Sequence, residues 1–225
     1  MTIDEFSNEF DIRLNKYNIS LDEYEKSIYL TSAQLQLIKS YFPIGIEKTS
    51  KVRVDLKELI KNYISEEKIS STNKISDDSK FFKIPNNVFL IIQEQCTIIS
   101  DNSCLDGKVV KVVPKTYDEY NIQIKNPFKK PDSSVVWRLD FYSQNLVDSN
   151  VELISPYDIS KYSVRYISYP EPIILTKLSN SLFGEGLSIE GVTTAQTCKL
   201  HKGIHREILD LAIGLAMENY KPQAN

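Results

Sequence analysis

The hydrophobic period of this 225-residue chain changes twice, and those changes fix the class of fold open to it. From Asp4 to Lys16, Phe6, Phe10 and Leu14 recur at four-residue steps, the spacing of one helix face. Leu21, Tyr24, Ile28, Leu35, Ile38 and Phe42 carry a longer second pattern, opened by Ser20 and Glu23 as a capping box and stopped by Pro43. A third helix is expected from Asp55, with Leu56, Leu59, Ile60 and Tyr63 inward and Asp55/Glu58 as its cap pair. Beyond the polar run Ile69 to Ser79 the pattern turns to short β-branched runs. These are Phe81 to Ile84, Val88 to Ile99, Val109 to Val113, Val135 to Tyr142, Val151 to Ile154, Tyr162 to Ile167 and Ile173 to Leu175. The helical period returns from about His201 to Tyr220, with Ile204, Ile208, Leu211, Ala212, Leu215 and Ala216 as its stripe and Pro222 as its stop.

A chain that is helical, then strand-rich, then helical again is α+β. The expected organisation is a helical part, residues 1–68, packing with the 198–221 helix as a bundle. A linker or mobile loop follows at 69–79, and a β-rich, sandwich-like domain at 80–197 is inserted between the helical segments. Asp106-Gly107 predicts a hairpin turn, and Thr116-x-x-Glu119 predicts a short helical turn ending before Asn126-Pro127. Gly214 lowers the propensity of the last helix by about 1 kcal/mol against Ala, which a close neighbour there would account for.

Chemistry is harder to find. The net charge of −3 weighs against a dedicated nucleic-acid-binding domain. Lys108, Lys111, Lys115, Lys125, Lys129, Lys130 and Arg138 form a basic stretch, but Asp106, Asp118, Glu119 and Asp132 dilute it into a solvated face. Cys96, Cys104 and Cys198 lack metal spacing and fit free thiols in a reducing compartment, with a Cys96–Cys104 disulfide left open by the turn between them. His201 and His205 share a helix face, yet Lys202 stands where a zinc-peptidase motif needs Glu. Gly184-Glu185-Gly186 has no lysine or third glycine to make a phosphate loop, and no nucleophile elbow occurs. The chain is therefore expected to be no enzyme and to need no cofactor or metal. Its opening residues lack signal-peptide character, and apolar runs such as Val88 to Ile92 are too short to span a bilayer, so a soluble, cytosol-made chain is expected. Thirteen tyrosines beside seven glycines suit either strands or half-buried subunit surfaces.

Several short runs, taken in order, are more specific. They are the N-terminal Asp-Glu-Phe helix, Leu21 to Gln34, Ile84-Pro85-Asn86-Asn87-Val88-Phe89 and Val113-Pro114-Lys115-Thr116-Tyr117-Asp118-Glu119-Tyr120. Asn126-Pro127-Phe128, Trp137-Arg138-Leu139, Val164-Arg165-Tyr166-Ile167 and Ile204-His205-Arg206-Glu207-Ile208-Leu209 complete the series. With these runs the chain resembles head-to-tail connector (adaptor) ring proteins of crAss-like tailed bacteriophages, which are similar to the adaptors of short-tailed phages. The resemblance implies N-terminal helices, a β-rich domain and a C-terminal helix that rejoins the first helices. It also implies a virion protein at the head-tail junction, assembled in the bacterial host cytoplasm. Its partners would be its own copies in a dodecameric ring, the portal protein, a neighbouring tail or ring protein, and DNA passing through the lumen without sequence-specific binding. No membrane partner is expected. Another virion ring, a capsid-associated protein or a free-standing binding module are the alternatives. Within the ring reading, Tyr117, Tyr120, Phe128, Trp137 and Tyr220 are the expected interface anchors, because aromatic groups dominate such contacts; intramolecular core is the competing role for Phe128 and Trp137. The 69–79 loop and the tail after Tyr220 are expected to order on docking. His201-Lys202-Gly203 departs from the proline-containing helix start of the family pattern, leaving the cap of the last helix open.

Overall fold

The computed structural model describes residues 1–41, 54–66, 68–69, 74–140, 150–178 and 186–220 of an α+β chain. Two compact units emerge: Met1–Leu59 with Pro170–Asn225, and Ile60–Tyr169. Residues 60–68 thus fall with the strands, and 170–197 with the helices.

In the helical unit, α1 (Ile3–Leu14) is capped reciprocally by Thr2 and Glu5 and buries Phe6, Phe10 and Leu14. The next helix, α2 (Glu23–Ser40), starts two residues later than the Ser20 box suggests. Asp22 accepts from the Glu25 amide at 2.7 Å while the Glu25 carboxylate reaches back to the Asp22 amide. This register keeps Leu21 buried and leaves Ile28 38% exposed. The buried face of α2 includes Ser27, Thr31 and Gln34, and its neighbour explains why. Thr31 Oγ1 bonds both the amide and the carbonyl of Ile173, at 3.1 and 3.2 Å. Ser27 Oγ accepts from the Leu175 amide at 2.9 Å, and Gln34 Nε2 donates to the Glu171 carbonyl at 2.9 Å. The Ile173–Leu175 run, expected as a strand, has backbone groups of Ile173 and Leu175 bonded by helix side chains, and among the described residues its β pairing is the isolated bridge Ile174–Gln196. Phe42 and Pro43 lie outside the described residues.

The third helix is a correction. Residues 54–55 are helical, 56–59 turn, and Ile60–Ser65 form strand β1. Pairing decides the matter: every β1 residue from Ile60 to Ser65 opposes a residue of a later strand, which a helix of marginal length cannot match. Asp55 is not a cap but a buried acceptor for the Tyr41 hydroxyl at 3.3 Å.

The last helix runs from His205 to Tyr220 and is written α4 below, after a 3-10 turn at Lys202–Ile204. The His201 ring supplies the missing cap, its Nδ1 accepting from the Gly203 amide at 3.2 Å. Its buried set is His205, Ile208, Leu209, Ala212, Ile213 and Ala216, with Leu211 and Leu215 only half-buried, so the stripe is rotated toward Leu209 and Ile213. Arg13 of α1 pairs with Asp210, and Asn219 donates to the Tyr29 hydroxyl of α2 at 3.2 Å, so α4 meets both earlier helices. Gly214 is exposed, with nothing within 4 Å of where a Cβ would stand, so no close neighbour among the described residues explains it. Gly214→Ala is expected to stabilise the chain by about 1 kcal/mol, read as a raised urea midpoint with an unchanged m-value.

The second unit is one eight-stranded sheet where a sandwich-like pair was expected. Its further strands are β2 (Lys68–Ile69), β3 (Ser79–Lys83), β4 (Val88–Ile99), β5 (Val109–Lys115), β6 (Val135–Asp140), β7 (Asn150–Ile154) and β8 (Asp158–Ser168), in the order β1-β8-β4-β5-β6-β7-β3-β2. The expected hairpin joins β4 to β5, with Gly107 in the left-handed region at φ +74°. The step from β5 to β6 is parallel, and helix α3 (Tyr117–Gln123) lies in that crossover. Connectivity forces the sheet to curl. β1 and β2 occupy opposite ends of the sheet, yet Ser65 and Lys68 are three residues apart, no more than about 11 Å. The Lys68 ammonium closes the loop by reaching Asp158 at 2.6 Å, at the start of the strand next to β1. Inside the curl, Phe82, Cys96, Val112, Val136, Leu153 and Tyr162 belong to one continuous core. Of the expected 69–79 linker, Ile69 and Ser79 are strand residues and 70–73 lie outside the described residues; Ile75 is tied down by its amide, which donates to Glu152 at 3.0 Å.

Candidate assembly surface

The β5–β6 crossover carries most of the aromatic residues singled out from the sequence. Thr116 and Glu119 cap α3 reciprocally, which turns Tyr120 and Ile124 toward the sheet. Tyr120 meets Trp137 edge-on, with ring centroids 6.2 Å apart, and Leu139 and Ile154 complete this cluster. Tyr120 and Trp137 are buried, so in the folded chain they hold the crossover onto the outer face of β6. Alternation then turns Val136 and Arg138 into the curl. There the guanidinium of Arg138 lies 3.2 Å from the Glu94 carboxylate, which also accepts from the buried Tyr162 hydroxyl. Burial pushes the Tyr162 phenol far up, and the neighbouring Glu94 charge adds to that. The basic stretch is therefore not one surface, since Arg138 is an interior residue.

The other expected anchors face outward. Tyr117 is 40% exposed and Phe128 is 96% exposed. Around Phe128 the backbone is fixed: its amide donates to Asn126 Oδ1 at 3.0 Å, and the Lys129 amide donates to the Asn126 carbonyl at 3.1 Å. Asp132 then accepts from the amides of Ser134 and Val135, and these bonds, led by the Ser134 hydroxyl, hold its carboxyl below the usual range. Phe128 is thus an apolar knob on an ordered turn. Tyr220, at the last position of α4, is half exposed and donates to Glu25 at 3.0 Å. Sequence reasoning missed Ile122, 73% exposed on the outer side of α3, and Ile64, 53% exposed on β1. Ile122 was legible as the off-face position between Tyr120 and Ile124. Ile64 was hidden by the helical reading of its segment.

At the seam of the curled sheet, Tyr63, Ile64, Ser65, Glu66, Ile69 and Lys83 line an open cleft of ≈ 550 Å³. Tyr63 turns toward the interior core, while Ile64 points to the outer side, opposite Ser163 of β8.

The residues with catalytic potential are otherwise engaged. His201 caps a turn, and His205 is buried between the Leu200 carbonyl, 2.9 Å from Nε2, and the Met1 amine, 2.6 Å from Nδ1. Burial pushes the His205 imidazole down, which keeps it neutral with Nδ1 as an acceptor. The two imidazoles thus do not converge on a common ligand. All three cysteines are free thiols; burial pushes Cys96 up to about 12 and Cys198 up to about 11, so neither is poised as a nucleophile. Gly184 and Glu185 lie outside the described residues. Among the described residues no helix is long and apolar enough to cross a membrane.

Comparison with known proteins gives a consistent result. The family model described as phage tail ring protein 3/4 matches residues 1–225. Ring protein 3 of Bacteroides phage crAss001 is 39% identical over 229 residues, covering 96% of this chain and 95% of that protein. Ring protein 4/5 of the same phage is 33% identical over 235 residues, covering 98% of this chain and 94% of that protein.

Proposed function

The chain belongs to the phage tail ring protein 3/4 family of crAss-like phages, and from that premise we propose that it is a subunit of the connector ring joining the capsid portal to the tail. The observation that carries this reading is the end-to-end family match, which spans both the helical and the sheet unit. In this reading the helices of the first and last segments act as one bundle with the β-domain inserted between them, the arrangement of phage adaptors. Copies associate head to tail into a closed, dodecameric ring matched to the portal, in which one surface of each subunit meets a different surface of the next. The portal and an adjoining tail or ring protein bind the two ends of that ring. DNA passes through the lumen, and a net charge of −3 suits a wall that lets it slide without gripping it. The protein works by fit rather than by catalysis.

Quantitative mass spectrometry of purified virions tests the proposal by counting this chain against the portal protein. Near-equal copy numbers are expected. A large excess would place the chain in the capsid instead, and absence from particles would end the connector reading.

A further inference from the structure

One stretch of the sheet's outer face carries no carboxylate, in a chain that holds 30 acidic residues. Strand pairing builds it from two rows. Asn62 of β1, Arg165 of β8 and Gln93 of β4 stand side by side, and Ile64, Ser163 and Gln95 form the row beside them. Lys111 of β5 extends the second row by one strand. Alternation puts these residues on one face, while Cys96, Tyr162 and Val164 turn into the core. The first six line an open groove of ≈ 360 Å³. Acids close by in sequence are engaged elsewhere: Glu94 is buried against Arg138 at 3.2 Å, and Glu66 meets Lys161 at 3.3 Å. Among the described residues, the side chains of Asn62, Gln93, Gln95, Ser163, Arg165 and Lys111 have no hydrogen-bond or ion-pair partner, so their donors are open to a ligand.

The chemistry of the face selects that ligand. Guanidinium, ammonium, amide and hydroxyl groups together are the donor set that contacts phosphate oxygens along nucleic-acid backbones. A protein partner is a poorer match, because the cores of protein interfaces are rich in apolar and aromatic groups and this face offers only Ile64. Single strands are gripped by aromatic rings that stack on bases; none of the seven residues is aromatic, and Tyr63 is turned toward the core. We propose that this face contacts the phosphate backbone of duplex DNA, with Arg165 and Lys111 as its charges and the amide and hydroxyl groups as neutral donors. The inference rests on the ring reading above and deepens it, since it makes the β1–β8–β4 face the wall of the lumen. Two charges per subunit hold DNA weakly, and neutral donors add contacts without the counterion release that makes binding tight. Contact of that kind steadies a duplex and still lets it slide.

The test uses the full chain and a duplex of arbitrary sequence, with affinity followed by fluorescence anisotropy across a salt series. Sequence-independent binding is expected, with log Kobs falling against log salt by about 0.9 for each phosphate neutralised. Arg165→Ala and Lys111→Ala are each expected to weaken binding and to lower that slope by about 1. Both side chains are exposed, so the thermal midpoint should not move. Poly-glutamate serves as the rival anion. Binding of poly-glutamate as tight as that of the duplex would overturn the proposal in favour of an acidic protein partner. Duplex binding that neither substitution weakens, or no duplex binding even at low salt, would overturn it as well. Any of these results beside near-equal copy numbers of this chain and the portal in virions would leave the ring reading intact. Arg165-dependent duplex binding by a chain absent from virions would keep the phosphate contact and overturn its placement in the lumen.

Discussion

Glu94→Leu is expected to destabilise the sheet unit by about 3–5 kcal/mol, the usual cost of removing one partner from a buried ion pair. Both side chains of the Glu94–Arg138 pair are nearly inaccessible, at 4% and 8% exposure. The carboxylate also accepts from Tyr162, which is fully buried, so three strands meet at this one group: β4 through Glu94, β6 through Arg138 and β8 through Tyr162. These strands are not all adjacent in the sheet; β5 separates β4 from β6, so the contact crosses the inside of the curl. Leucine would leave a buried guanidinium without this carboxylate and a buried phenol without its acceptor. The double variant Glu94→Leu/Arg138→Met is expected to recover most of the loss, since replacing both charges with apolar groups removes the desolvation penalty along with the attraction. Urea denaturation of the single and double variants checks this. If the double variant is as unstable as the single, the pair is not the determinant of stability at this site.

How much of this could be read from sequence depends on whether the governing interaction is local. The Thr116/Glu119 box, the Asp106-Gly107 turn and the four-residue step of Phe6, Phe10 and Leu14 rest on neighbours within a few residues, and each element forms as expected. Strand β1 rests on partners a hundred residues away. Ile60 and Tyr63 satisfy a helical spacing, and only pairing with Ile167 and Val164 reveals the strand. The Ile173–Leu175 run failed for the complementary reason, because its backbone partners are the side chains of α2 rather than another strand. The Ser20 box lost to the Asp22 box two residues on, where two equally good local signals compete and the burial of Leu21 fits the second. At the candidate assembly surface, the aromatic residues were visible in the sequence but their division into inward and outward was not. That division follows from the α3 crossover. Ile64 could not be found at all until its segment was known to be a strand.

Trp137→Ala separates the two roles that an aromatic residue in this crossover can play. It is expected to cost about 3–5 kcal/mol, the range for removing a large aromatic side chain from a packed core. Trp137 is 2% exposed, meets Tyr120 edge-on and shares its cluster with Leu139 and Ile154, so its loss strips α3 of its anchor on β6. Thermal unfolding followed by circular dichroism gives the readout, because Trp137 is the chain's only tryptophan and its fluorescence disappears with it. Phe128→Ala on the same connection should do the reverse, weakening assembly without moving the midpoint. Trp137 holds the crossover, and the crossover presents Phe128, so Trp137→Ala should weaken assembly as well, but only alongside the loss of stability. A Trp137→Ala chain with an unchanged midpoint and impaired assembly would transfer Trp137 from the core to the interface. It would also mean that α3 keeps its place on the sheet through Tyr120 and Ile124 alone.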